Sequence, residues 1–257
     1  MPGSEHSALI DVGGYRIWMR RTGGGDPTVV FESGGGDDST VWAKTETELH
    51  HRSGNVRSIV YDRAGLGHSE PSVGPYRIEE EVRALEVALA RSHTSGPTIL
   101  VAHSYGGFIS QIFAAQYPEV VGLVLVDADI PDFFDAPEVA RLQARFALVR
   151  NEMEERAPKI ARVVGPIMDA LPETALRARS APVPESLPVI DIVAERSWIE
   201  DPKESRALRH AHEEFVSRSR HRELVEAIGS GHYVMRDRPE LVQESIDRLV
   251  AGLALGE

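Results

Sequence analysis

Val101-Ala102-His103-Ser104-Tyr105-Gly106-Gly107 decides the reading of this chain. It closes a short apolar run, Thr98 to Ala102, with a serine, then opens into the apolar stretch Phe108 to Tyr117. A short, near-continuous, β-branched run reads as a strand buried on both faces. The longer stretch, apolar nearly all round and stopped before Pro118, reads as a buried helix. A serine at so sharp a strand-to-helix turn needs small neighbours, because backbone and helix approach closely there; Ala102 and Gly106 supply them. Such a turn lifts the hydroxyl above the sheet, and the N–H groups of the helix start point at any developing oxyanion. The pattern is G-x-S-x-G with alanine in the first position. A glycine-rich turn with a bystander serine reads the same in isolation, so the flanking sequence has to decide.

Working outward, Thr28 to Phe31 runs into Ser33-Gly34-Gly35-Gly36, and Arg57 to Tyr61 runs into Asp62-Arg63-Ala64-Gly65. Val121 to Val126 and Pro188 to Val193 follow the same rule. Helical patterns separate these runs: Glu79 to Arg91, with Val82, Leu85 and Leu89 at helical spacing, and a final amphipathic stretch, Leu241 to Leu249. Its three acidic residues suit the start of the first of these helices. Strands alternating with helices imply an α/β fold, with a mostly parallel central sheet flanked by helices. Ala8 to Val12 and Tyr15 to Arg20 flank Gly13-Gly14, a hairpin signal, so the sheet begins antiparallel. Residues 131–187 break the alternation with seven prolines and amphipathic stretches such as Val139 to Arg150. The expected organisation is a core formed by 1–130 and 188–257, with a small helical cap, 131–187, inserted between two core strands.

The 257 residues suit one α/β domain with an insertion. A net charge of −12 leaves no dominant basic footprint, so no nucleic-acid partner is expected. The one basic run, Arg218, Arg220 and Arg222 around His221, reads as a solvated turn before a strand. With no cysteine, disulfides, thiolate catalysis and cysteine-based zinc sites are excluded. Met1 to Ile10 lacks the basic and apolar regions of a signal peptide, and no apolar run approaches the roughly 20 residues of a membrane helix. A cytoplasmic protein with no membrane partner is expected; its oligomeric state is not legible.

Near the C-terminal end stands Ala227-Ile228-Gly229-Ser230-Gly231-His232, after the strand signal Glu223 to Ile228. A histidine in a glycine-flanked loop can reach across to a serine, and imidazole takes and returns protons near neutral pH. The other histidines lack such a context. His210 and His212, two apart on a helix, face different sides, and no convincing metal cluster forms.

Taken together, the serine turn, the strand-then-glycine segment Phe31 to Gly36, the stretch Asp62 to Ser69, and Gly231-His232 followed by Arg238-Pro239-Glu240 resemble the α/β-hydrolase superfamily. The resemblance is to its small, capped, esterase-like members. It covers nearly the whole chain and is weakest over 131–187. It implies Ser104 as nucleophile and His232 as general base. For the oxyanion hole it implies the N–H groups of Gly35 and Tyr105, with Gly34 as a near alternative to Gly35. Asp62 to Ser69 is assigned a structural turn, with Asp62 bonding local backbone.

The acid should lie between Ser104 and His232 in chain order, after one of two strands. After the later strand the text is Ala194-Glu195-Arg196-Ser197, with Ser197 where an aspartate is expected. Asp127, closing the earlier strand, is therefore the first candidate, with Asp129 and Glu195 next. The implied reaction is hydrolysis of a carboxylic ester, or a lactone, through an acyl-enzyme, with no cofactor and no metal. A cofactor-free C–C hydrolase or lyase on the same residues, and a non-enzymatic ligand-binding protein, stay open as alternatives. Serine at position 104 disfavours the aspartate-nucleophile members. The cap is expected to roof the site, with Phe133, Phe134, Phe146, Met153 and Met168 as candidate lining.

Overall fold

The chain first reverses at Gly13 and Gly14, whose φ values of 97° and 105° suit glycine. The reversal joins β1 (His6–Asp11) to β2 (Arg16–Thr22) as an antiparallel pair, Asp11 opposite Arg16, as the hairpin signal implies. The computed structural model describes residues 5–52 and 56–255. Residues 1–4 of the Met1–Ile10 stretch, and 256–257 at the end of the expected core, lie outside the described residues.

After the hairpin the strand–helix alternation is regular. β3 (Thr28–Glu32) leads to α1 (Ala43–Arg52), β4 (Arg57–Tyr61) to α2 (Ile78–Arg91), and β5 (Thr98–His103) to α3 (Gly106–Gln116). β6 (Val120–Val126) is followed by α4 (Ala136–Arg156), α5 (Pro158–Asp169) and α6 (Leu171–Arg179). Then come β7 (Val189–Ala194), α7 (Pro202–Ser217), β8 (Arg222–Ala227), the single turn α8 (Val234–Asp237) and α9 (Pro239–Leu255).

One eight-stranded sheet runs in the order β1-β2-β4-β3-β5-β6-β7-β8. Only β2 is antiparallel to its neighbours; from β4 to β8 every pairing is parallel. Parallel pairing needs long crossovers and leaves both faces covered, which is why β3, β5 and β7 are buried at every residue. Two apolar layers result. One, with Leu85, Phe108, Ile112 and Phe215, packs α2, α3 and α7 on one face. The other, with Trp42, Leu49, Val234 and Ile246, packs α1, α8 and α9 on the opposite face.

Between β6 and β7 the segment 131–187 is helical. Pro137, Pro158 and Pro172 each stand in the first turn of a helix, where no N–H is needed. Asp135 caps α4 by accepting from the Glu138 N–H at 2.8 Å. Phe133 and Phe134, offered by the sequence as site lining, are instead core: both are buried, and the Phe134 ring lies 4.9 Å from that of Phe108. Phe146 is half-buried beneath the Arg150 guanidinium.

Candidate active site

β5 runs straight into the serine turn. Ser104 has φ 51°, a left-handed conformation costing a non-glycine residue on the order of 1 kcal/mol. The next two glycines explain how the turn closes. A Cβ on Gly106 would fall 2.6 Å from the Glu32 Cγ and the Ser33 carbonyl; one on Gly107 would fall 2.8 Å from the Ala128 Cβ. Only hydrogen fits, so α3 begins hard against β3 and the end of β6. The Ser104 carbonyl accepts from the Gly107 N–H at 2.8 Å and the Asp129 N–H at 2.9 Å. Its hydroxyl is partly exposed and, among the described residues, makes no hydrogen bond.

On the neighbouring strand, β6 ends at Val126, and the next residue, Asp127, is also left-handed at φ 43°. Its N–H donates to the Ile192 carbonyl at 2.7 Å, and its Oδ1 accepts from the Ala194 N–H at 2.9 Å. Both bonds tie the residue to β7 and fix the carboxylate. The remaining oxygen, Oδ2, lies 2.7 Å from Nδ1 of His232. A carboxylate accepts, so Nδ1 is the donor, and in the neutral ring Nε2 is the acceptor. The His232 ring is 22% exposed, while the Asp127 side chain is buried.

The other acid candidates lie elsewhere. Asp129 uses its N–H on Ser104, and its carboxyl makes no hydrogen bond among the described residues. Burial pushes that carboxyl up to about 7, against the smaller pull of His232 and with a push from Asp127. Glu195 is exposed and accepts the Gly229 N–H at 2.7 Å, and Ser197 accepts the Ile199 N–H at 3.1 Å. Of the three candidates, Asp127 is the one bonded to the histidine.

The glycine segment after β3 sits across the serine turn. A Cβ on Gly35 would fall 3.5 Å from the Tyr105 Cβ, whereas one on Gly34 would meet Asp37 and His103 instead. The N–H groups of Gly35 and Tyr105 have no acceptor among the described residues. What holds this loop is a residue that sequence reasoning left aside. The buried Arg63 guanidinium donates to the carbonyls of Ser33, Gly34 and Gly35 and pairs with Glu32 at 2.7 Å. Saturating three carbonyls from behind turns the loop's amide edge the other way. The Tyr61 hydroxyl also donates to Glu32, whose carboxyl burial raises to about 7 despite the pull of Arg63. The neighbouring Asp62 accepts the N–H of His68 within its own turn and also that of Ser39, in the segment after β3, at 2.8 Å each, so only the first of the two bonds is local. The one signal for Arg63 was a charged pair, Asp62-Arg63, directly after a buried strand.

α5 closes over the glycine loop: Ile160 and Val164 lie 3.1 and 3.3 Å from where a Gly36 Cβ would be. Beside it a cavity of about 780 Å³ opens between the 64–79 loop and α5–α6, with Gly65, Tyr76, Glu81, Val163 and Thr174 in its walls. Ser104 and His232 are not part of that lining. The Tyr105 hydroxyl reaches it, bonding Tyr76 at 2.6 Å and Thr174 at 3.4 Å. Among the described residues, no helix is long and apolar enough to cross a membrane.

Comparison with known proteins agrees with this architecture. YqjL, an uncharacterized protein of Bacillus subtilis, is 25% identical over 243 residues, 89% of this chain and 85% of its own. Another curated relative is matched over only 24% of its length. A thermophilic esterase from Thermogutta terrifontis superposes with a TM-score of 0.66 at 22% identity, covering 96% of this chain and 98% of that one. The haloalkane dehalogenase DatA of Agrobacterium tumefaciens superposes with a TM-score of 0.71 at 16% identity, covering 96% and 97%. At these identities the superpositions speak for the fold alone. A family model described as the alpha/beta hydrolase family matches residues 29–244, most of the chain and every element from β3 to the body of α9. On that match and the strand order, this chain belongs to the alpha/beta hydrolase family.

Proposed function

We propose that the chain is a serine hydrolase that cleaves a carboxylic ester or lactone through an acyl-enzyme on Ser104. The observation that carries this reading is the 2.7 Å bond between Asp127 and Nδ1 of His232, which makes Nε2 the accepting nitrogen of the neutral ring; that ring lies 4.5 Å from the ring of His103, the residue directly before Ser104. Nε2 of His232 takes the proton as Ser104 Oγ attacks the carbonyl carbon, and Asp127 stabilises the imidazolium. The oxyanion is received by the unpaired N–H groups of Gly35 and Tyr105. The intermediate collapses as His232 returns the proton to the departing alkoxide. Water, deprotonated by His232, then attacks the acyl-enzyme and releases the acid. Among the described residues the Ser104 hydroxyl makes no hydrogen bond, and in this reading the serine–histidine contact is made as substrate enters.

Residues 131–187 act in this reading as the cap, since α5 already lies over Gly36. The occupant is a small molecule, and the reaction needs neither metal nor cofactor.

Intact-mass measurement after treatment with a small fluorophosphonate tests the assignment. One adduct on the wild type, absent from Ser104→Ala, is expected. A folded wild type that stays unlabelled would sink it.

A further inference from the structure

A second histidine stands against the base, and the reaction above does not use it. His103 is the last residue of β5, directly before Ser104, and is fully buried. Its Nε2 lies 3.0 Å from the main-chain oxygen of His232, and the two rings are 4.5 Å apart between centroids. A carbonyl only accepts, so Nε2 carries the proton. The ring stays neutral, because burial pulls its pKa down to about 3 and the neighbouring His232 pulls the same way. Nδ1 is then bare; it is buried without a partner, 3.8 Å from Asp37 Oδ2.

Three chain-distant segments meet on this ring. The serine turn leaves from its own backbone. The base loop contributes the His232 carbonyl and the Tyr233 ring, 5.1 Å away. The glycine loop contributes Gly34, where an added Cβ would fall 3.0 Å from Nδ1 and 2.8 Å from Asp37 Oδ2. Asp37 itself accepts from the Tyr233 hydroxyl at 3.3 Å, which joins the glycine loop to the base loop. Asp127 holds His232 by its ring only. A ring held at one atom can still swing, and the loop behind it carries Gly229, at φ 83°, and Gly231.

We propose that His103 is a positioning residue for the reaction, its Nε2–H holding the main chain of His232 so that the base keeps its orientation at the serine turn. This rests on the hydrolase reading above. Misorienting the base affects the chemical step and leaves ground-state binding alone, so the effect falls on kcat and not on KM.

Three variants test it. Glutamine at 103 places an amide N–H about where Nε2–H stands; asparagine stops short, near Nδ1; leucine keeps bulk and loses the donor. His103→Leu and His103→Asn are expected to slow both fluorophosphonate labelling of Ser104 and ester kcat by about ten-fold or more, with KM nearly unchanged. His103→Gln should recover to within about threefold. A purely space-filling role predicts the reverse, with leucine tolerated and no difference between the two amides. Wild-type labelling rates in all three variants, or glutamine no better than asparagine, would overturn the proposal. Should the leucine variant fail to fold, the asparagine–glutamine contrast alone decides. Nitrogen-15 shifts of the wild-type ring give a readout independent of turnover: Nε2 protonated and Nδ1 bare from pH 5 to 9, with a proton on Nδ1 overturning it. An unlabelled wild type would defeat the hydrolase reading; a labelled wild type with indifferent variants defeats this proposal alone.

Discussion

Among the described residues, the two shortest histidine–aspartate pairs are nearly equal in length, His232–Asp127 at 2.7 Å and His212–Asp191 at 2.8 Å. Both join Nδ1 to a carboxylate across more than twenty residues of chain, yet their surroundings differ. Asp127 sits past the end of β6, and the ring it holds is 22% exposed, with no hydrogen bond to Nε2 among the described residues. Asp191 sits in the middle of β7, opposite Leu125 and Leu224, and His212 comes down from α7 onto it. Both side chains there are at most 1% exposed, and the far atoms of both, His212 Nε2 and Asp191 Oδ1, have no partner. The bond in the two pairs is the same; position along the strand decides whether the outer nitrogen reaches the surface or stays in the protein, and in the proposed reading only the first can meet a substrate. A pair at a strand's end can work on a molecule, while a pair in mid-strand can only join two elements.

Removing the carboxylates one at a time separates the two pairs. Asp127→Asn keeps Oδ1 for the Ala194 N–H, so the fold should hold while kcat for ester hydrolysis falls by about four orders of magnitude. Steady-state kinetics beside a melting curve checks both halves. Asp191→Asn should do the opposite. It leaves a buried imidazole without its counter-charge and should lower unfolding stability by about 3 kcal/mol, read from urea denaturation. Ser104 in the surviving folded protein should label at the wild-type rate. If Asp191→Asn instead cut labelling while stability held, the division between the pairs would collapse.

The smallest expected effect is a pH dependence. Burial opposes charge on His212, but the bonded Asp191, helped by Asp127 and Asp129, outweighs it and holds the imidazole above its ordinary value. A raised folded pKa means stabilisation that is fully present below the unfolded value, about 6.5, and is lost as pH rises through the folded one. The gap in urea midpoint between wild type and Asp191→Asn should therefore narrow as pH climbs from 6. A gap that widens would mean the pair is held together by something other than protonated His212.

What the sequence disclosed was local. The hairpin at Gly13-Gly14, the serine turn and the strand–helix alternation each depend on residues within a few positions of one another, and each stands in the fold as read. The chemistry between segments was harder to read. Asp127 was ranked above Asp129 and Glu195 by chain order and resemblance, but the N–H of Ala194 that fixes its carboxylate belongs to another strand and leaves no local trace. Arg63 was passed over because its three carbonyl partners lie about thirty residues upstream. The spacing of His210 and His212 did put them on different sides, and only His212 is buried; that an aspartate waits beneath it is a fact of β7 and not of α7. Phe133 and Phe134 were assigned by segment, and a boundary drawn at residue 131 placed two core aromatics in the insert.

The left-handed backbone at Ser104 has a consequence for how sequences of this kind drift. Its side chain makes no hydrogen bond among the described residues, and glycine would sit there without strain. Folding alone therefore pushes this position away from serine, a steady bias that only use of the hydroxyl opposes. A lineage that kept the scaffold to hold a ligand, with no bond to cleave, would slide downhill at residue 104 before it lost the sheet around it. The serine is in that sense a running record of whether selection still acts on chemistry.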